Sequence, residues 1–411
     1  MKKALAMLMA MAMCFSLLTA CGGNSGTANS PAPNNSESAQ PNEGGSEGGT
    51  IQIAFIGNTT GDYAQYGIPV RNGAMLYIDQ LNANGGINGK TVEVLEYDDK
   101  GDGLEAVNAF SLAQEKGITA VIGSVLTGAT ITLADATYEV NMPQITASAT
   151  AAGVTQIDPE DESAGIRTNV FRACFIDPFQ GEKMADYAAN KLGAATAAIL
   201  YESGNDYSEG LKDAFVAKAG ELGLNVVATE AFANGDKDFN AQMTKIAGAN
   251  PDVVFMPIYY GEAGLAITQG RQAGMTATVL GGDGFGGIKD YATAEDLEGT
   301  VYCSGYAPGT EPVAQFEKDY EATYGEAVPN MFAPLAYDAA MLMCNALKAA
   351  EDAGLEAGTD EYKQAVIEAL AATDGVEGIT GSYTFDEYNN PIKSAAMIQL
   401  QSGEENFIEM Y

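Results

Sequence analysis

The chain alternates short apolar runs with longer stretches in which apolar residues recur every third or fourth position. Residues 51–56 (Ile-Gln-Ile-Ala-Phe-Ile) read as a strand closed by Gly57. Helical spacing over 72–81 predicts a helix that stops at Asn84-Gly85-Gly86, a glycine C-terminal signal. Strands are predicted at 91–97 and 119–122, with helices at 106–115 and from about residue 129. A second series begins with a strand at 197–201. It continues as a helix (208–222), a strand (225–228), a helix (239–247), a strand (253–256) and a helix (263–273). Such alternation predicts an α/β fold of parallel sheets with helices on both faces. The interruption around 172–179 is the expected crossover between two lobes.

The first residues follow a different pattern. Lys2 and Lys3 lead into an apolar run that ends in Leu18-Thr19-Ala20-Cys21. A basic start, a core too short for a stop-transfer helix and a small-residue exit predict a secretory signal peptide over 1–20. Its end resembles a bacterial lipobox, in which a peptidase cuts before the cysteine and that cysteine carries lipid. Cys21 is therefore the expected lipidation site; the alternative is a plain signal peptide with a chance cysteine. Residues 22–50 are a Gly/Ser/Asn/Pro/Glu tract with nothing to bury. The expectation for 21–50 is a lipidated, disordered tether that lets a domain float roughly 30 Å from its anchor. The folded part is then expected to be extracytoplasmic, lipid-anchored to a bacterial cell membrane.

Composition narrows the function classes. The residues beyond the tether suffice for two lobes, and 46% hydrophobic content supports a packed globule. No later apolar run approaches the length of a spanning helix. The net charge of −35 repels phosphate backbones and anionic lipid, so no nucleic-acid partner is expected and membrane attachment falls to the lipid. Of five cysteines, Cys14 leaves with the signal. Cys174, Cys303 and Cys344 remain, widely spaced and odd in number. At most one bridge can form among them, and buried free thiols are the expectation.

Several chemistries are missing. The chain has no histidine, which removes Ser-His-Asp and Cys-His nucleophile pairs and the commonest transition-metal ligand. Without a Cys-x-x-Cys, no structural zinc is expected. The acidic run from Asp98 to Gly103 fails as a calcium loop, because Lys100 takes the third position and Ala109 replaces the closing glutamate. Residues 282–287 match Gly-x-Gly-x-x-Gly, but Asp283 within that loop opposes a pyrophosphate. No cofactor and no metal are expected, and the carboxylate pairs, inevitable among so many acids, give no specific sign of acid/base catalysis.

Ordered segments carry a resemblance from about Ile51 to the end. They include Gly61-Asp-Tyr-Ala-Gln-Tyr66-Gly67, Asn72-Gly73-Ala74, Asn84-Gly-Gly-Ile-Asn-Gly89-Lys90, Tyr97-Asp98-Asp99 and Val121-Ile-Gly123. Further along come Ala149-Thr150, Asp206-Tyr207-Ser-Glu-Gly210, Lys237-Asp238-Phe239 and Tyr337-Asp338-Ala339. In this order the chain resembles the periplasmic-binding-protein type I family, in its branched-chain amino-acid branch. The resemblance implies two doubly wound parallel-sheet lobes joined by a multi-strand hinge. Lobe 1 would hold 51–173 and 304–383; lobe 2 would hold 174–303 and 384–411. It also implies a monomer that captures an aliphatic amino acid such as leucine, isoleucine or valine and delivers it to an ABC permease in the membrane.

Ligand residues follow from the resemblance position by position. Thr127, expected near a helix N-terminus that suits a carboxylate, joins Ser148 and Thr150 as the clamp on the amino acid's carboxylate and amine. Tyr207 and Tyr259 match tyrosines that close over the ligand. Asp283 matches the acidic anchor for the α-ammonium, where the best-known members carry glutamate. Tyr66, Leu126 and Phe332 fall where the family lines the side-chain pocket. The family's disulfide near the first ligand segment is missing, with Gly101 and Leu126 in its place. Alternatives stay open: capture of another small amide or carboxylate solute, a chemosensory ligand-binding subunit, or a secreted hydrolase using a carboxylate pair.

Overall fold

The computed structural model describes residues 48–311 and 313–411. The predicted signal peptide, the tether through residue 47 and the lipidation site Cys21 lie outside the described residues. The first sheet is built from β1 (Thr50–Gly57), β2 (Thr91–Asp98), β3 (Val121–Gly123), β4 (Gln144–Thr146) and β5 (Val170–Arg172). Its order is β2-β1-β3-β4-β5 with every pair parallel. Helices α1 (Ala64–Ala83), α2 (Gly103–Gln114) and α3 (Thr127–Glu139) make its connections. Alternation along β1 sends Ile51, Ile53 and Phe55 into one core cluster and Ala54 and Ile56 into another. Both faces are thus buried, as a covered parallel sheet requires.

The chain then leaves through α4 (Asp177–Asp186) and builds a second sheet. Its parallel part is β6 (Thr196–Glu202), β7 (Asn225–Phe232), β8 (Val253–Met256), β9 (Thr278–Gly281) and β10 (Val301–Ser304). Between these strands lie α5 (Asp206–Leu222), α6 (Asn240–Ala249), α7 (Tyr260–Gln272) and the short α8 (Ala294–Leu297). Helices α9 (Val313–Tyr324), α10 (Phe332–Asp352) and α11 (Asp360–Ala371) follow, with α10 packed on α1 and against β3 and β4. A hairpin of β11 (Val376–Gly378) and β12 (Gly381–Tyr383) hangs from Asp338 of α10, whose carboxylate accepts the Ile379 and Thr380 N–H groups at 2.8 and 2.9 Å. Finally β13 (Ala396–Gln401) and β14 (Glu404–Met410) extend the second sheet antiparallel, giving β14-β13-β10-β9-β8-β6-β7. The chain passes between the sheets three times: after β5, after β10 and before β13.

Differences from the sequence-based expectation have local causes. Helix α1 starts at Ala64, well before the apolar spacing at 72, and carries Pro69 inside it. A proline lacks the N–H that would reach the carbonyl four residues back. That carbonyl, on Gln65, instead accepts the Asn330 side-chain amide at 2.8 Å. The interruption at 172–179 holds the end of β5 and the start of α4, nucleated by Asp177-Pro178 at the first helical positions. Cys174, Cys303 and Cys344 are free and buried.

Candidate functional site

The parallel strands of both sheets follow one order, with the first strand beside the third. Connections on the two sides of that junction run in opposite directions, and open α/β sheets bind ligands beyond the strand C-termini at such a point. The residues after β1 and β3 face those after β6 and β8 across a narrow cleft. The first lobe contributes Tyr66 of α1, Leu126 and Thr127 at the start of α3, Ser148 after β4 and Phe332 at the start of α10. From the second come Tyr207 of α5, Tyr259 before α7 and Asp283 after β9. Eight of the nine residues expected from the sequence are thereby brought together.

The ninth, Thr150, is not in the wall of the cleft. It is fully buried behind it, its hydroxyl facing Asp177 and its carbonyl accepting the Asp177 N–H at 3.0 Å. The chain bends at Ala147 and Ser148 after β4, leaving Ser148 in the cleft wall and Thr150 directly behind it. Ser148 bonds the Val125 carbonyl through Oγ at 2.8 Å, which ties the β4 end to the β3 end.

Thr127 opens α3, and the preceding N-cap position is Leu126, which makes no side-chain cap. The first-turn N–H groups of α3 therefore point at the cleft with no side-chain acceptor, an arrangement suited to a carboxylate. Leu126 packs over Gly101, where an added Cβ would lie 2.7 Å from Leu126 Cδ1. The leucine thus fills the space at which the family resemblance implied a disulfide.

Across the cleft, Asp283 is 2% exposed. Burial pushes its carboxyl up to about 6, against the pull of the neighbouring Tyr207 hydroxyl and Gln180 amide. Its backbone N–H donates to Gln180 Oε1 at 2.9 Å, and the Gly284 N–H donates to the Tyr207 hydroxyl at 2.9 Å. The rings of Tyr207 and Tyr259 stack at 5.1 Å, while Tyr66 meets Phe332 edge-on at 5.1 Å. Tyr66 also fastens the lobes: its hydroxyl donates to the Gly284 carbonyl and accepts the Tyr260 N–H at 3.2 Å. Tyr260 in turn donates to the Asp62 carbonyl at 2.7 Å.

Four contributors were not found in the sequence. Val125 and Gly284 line the cleft through their neighbours' positions, and apolar or glycine residues carry no chemical signal. Gln180 and Asp177 lie on α4 behind Asp283. The Asp177-Pro178 pair is a readable helix start, but nothing in it says that the aspartate side chain turns inward. An outer chamber lined by Tyr63, Glu202, Asn205 and Asn234 shares Leu126 and Tyr259 with the inner cleft, so these two side chains form the partition.

Two sheets of repeated order, closing an aromatic and acidic cleft over an uncapped helix N-terminus, define a two-lobed solute-binding protein. Residues 50–405 match the family model described as periplasmic binding protein, and the chain belongs to that family. It is 32% identical over 342 residues to Leu/Ile/Val-binding protein homolog 3 of Brucella melitensis, covering 82% of this chain and 87% of the relative. It is also 32% identical to a leucine-, isoleucine-, valine-, threonine- and alanine-binding protein of Pseudomonas aeruginosa, covering 82% and 86%. Among solved structures, LivJ of Streptococcus pneumoniae in complex with isoleucine superimposes with a TM-score of 0.77 at 33% identity, covering 87% of this chain and 99% of that one. The leucine-binding protein LivK of Thermotoga maritima gives 0.78 at 30%, covering 88% and 98%.

Proposed function

We propose that this protein captures a zwitterionic aliphatic amino acid, in the class of leucine, isoleucine and valine, between its two lobes and hands it to an ABC permease. The observation that carries this reading is the opposition of charge across one cleft. The uncapped start of α3 suits a carboxylate, and Asp283 on the other lobe suits an ammonium. Leu126, Phe332, Tyr66 and Tyr259 supply the apolar and aromatic wall between them. The ligand is bound and released unchanged, so no catalytic group is assigned. Cys21 carries the lipid that holds the monomeric protein outside the cytoplasm at the membrane.

Calorimetric titration of the folded domain tests it. Leucine, isoleucine or valine is expected to bind at one site per chain. N-acetyl-leucine is expected to be rejected, since acetylation removes the charge that Asp283 pairs with. A flat titration with all three amino acids overturns the ligand class. Equal binding of free and acetylated leucine overturns the ammonium anchor.

A further inference from the structure

Behind the cleft, the polar groups are poorly paired. Asp177, the first residue of α4, is fully buried, and neither carboxylate oxygen closes a hydrogen bond, although the Thr150 hydroxyl faces it. Thr150 Oγ1, Gln180 Nε2 and Asp283 Oδ1 are unpaired as well. Gln180, one turn along α4, takes the Asp283 N–H and so joins the two acids in one cluster. Among the described residues, no lysine or arginine nitrogen comes within 4.0 Å of either carboxylate. Arg172 on β5 gives its two terminal nitrogens to the Ala149 and Ala151 carbonyls and the Thr155 hydroxyl, and its Nε is unpaired.

We propose that Asp177 is carried as a neutral carboxylic acid at neutral pH, so that the cluster offers one negative charge, on Asp283, to one ligand ammonium. The ammonium is taken from the proposed function; the proton on Asp177 is independent of it. Two neighbouring buried acids, neither in an ion pair, resist ionising together; the Arg172 charge favours the ionised form of Asp177 but makes no direct contact with it, and one ammonium pairs with only one acid. The helix N-terminus at Asp177 favours its charged form, but that effect is several times smaller than the cost of an unpaired carboxylate out of water. The groups facing Asp177 from other elements lean the same way. Asp283 after β9 and Asp206 of α5 raise its pKa, burial raises it most, and Thr150 and Arg172 oppose. The nearby Cys174 and Cys303 thiols and the Tyr207 and Tyr259 hydroxyls are themselves pushed up by burial, so none adds a charge at neutral pH. A neutral acid both donates and accepts. Thr150 can hold it in either sense from behind the cleft wall. Asp177 is thus a positioning residue that acts through Thr150.

The first test needs no ligand. Carbon-13 NMR of the Asp177 carboxyl is expected to keep the shift of a protonated acid between about pH 5 and pH 7.5, where an ordinary aspartate is ionised. Titration of that carboxyl with a midpoint below about pH 7.5 overturns the proposal. The second test is Asp177→Asn, which mimics the neutral acid. Leucine affinity is expected to stay within about threefold of the parent, and a larger loss in the folded variant overturns the proposal. The parent's stability should fall as pH rises above the unfolded aspartate value near 4, because its folded form holds a proton that its unfolded form releases. The Tm advantage of the variant should therefore grow from pH 5 to pH 8; a constant difference overturns the proposal. If no aliphatic amino acid binds either protein, the proposed function falls and the carboxyl titration still decides Asp177.

Discussion

The two lobes are one design used twice with opposite chemistry. Each places its first strand beside its third, and the functional residues fall at matching points. Tyr66 follows β1 as Tyr207 follows β6; Leu126 and Thr127 follow β3 as Tyr259 follows β8; Ser148 follows β4 as Asp283 follows β9. The first lobe brings hydroxyls, apolar side chains and an uncapped helix N-terminus, but no acid. The second brings two stacked tyrosines and a buried acid. Topology places the cleft, and a few side chains at matching points give its two walls different chemistry. In the proposed site neither half complements both ends of a zwitterion, which would couple ligand binding to lobe closure.

Asp283→Ala is expected to have the largest effect, because it removes the acid of the cleft and erases the difference in charge between the lobes. An ammonium buried without its partner costs about 2 kcal/mol or more, roughly a thirtyfold loss of leucine affinity by calorimetry. The fold should survive, since Asp283 Oδ1 has no partner to lose. A loss below threefold breaks the assignment of charge to the second lobe.

The next effect is in pH and again belongs to the second lobe alone. Burial raises the Asp283 carboxyl to about 6, and the ammonium is bound only by its ionised form. Affinity should be flat above about pH 7 and fall by about tenfold for each unit well below pH 6. The Asp283→Ala protein should lose this slope. A parent profile that stays flat to pH 5 means that the acid does not meet the ammonium.

Much of this contrast was legible in the sequence, and the part that was not has a physical reason. The strand–helix alternation of residues 51–139 and 196–281 is strongly periodic, and the described elements fall close to it. The start of α1 was hidden because Gln65, Gly67 and Pro69 break the apolar spacing, while the missing bond is made by Asn330 from far along the chain. The nine candidate site residues came from motif resemblance, which fixes positions but not which way a side chain turns. Thr150 is the case in point: two residues beyond Ser148, it lies behind the wall. Asp177 was unreadable for the opposite reason. An aspartate at a helix start is ordinarily exposed, whereas this one is buried where α4 packs on α5 and meets the Thr150 segment.

The smallest expected effect concerns the contact that both lobes share. Tyr66 belongs to the first lobe, yet its hydroxyl bonds only to second-lobe backbone, at Gly284 and Tyr260. Tyr66→Phe keeps the ring against Phe332 and removes those two bonds. In a rigid core the unpaired carbonyl and N–H would cost the full desolvation of both groups. Here the cleft can open and let water reach them, so the loss should appear as a shift toward the open form rather than as unfolding. One net hydrogen bond is worth about 1 kcal/mol, roughly a fivefold weaker leucine affinity with Tm nearly unchanged. Small-angle scattering without ligand should show a larger radius of gyration for the variant, and saturating leucine should bring it back to the parent's value. If scattering and affinity both match the parent, the hydroxyl is a bystander and closure rests on the aromatic wall.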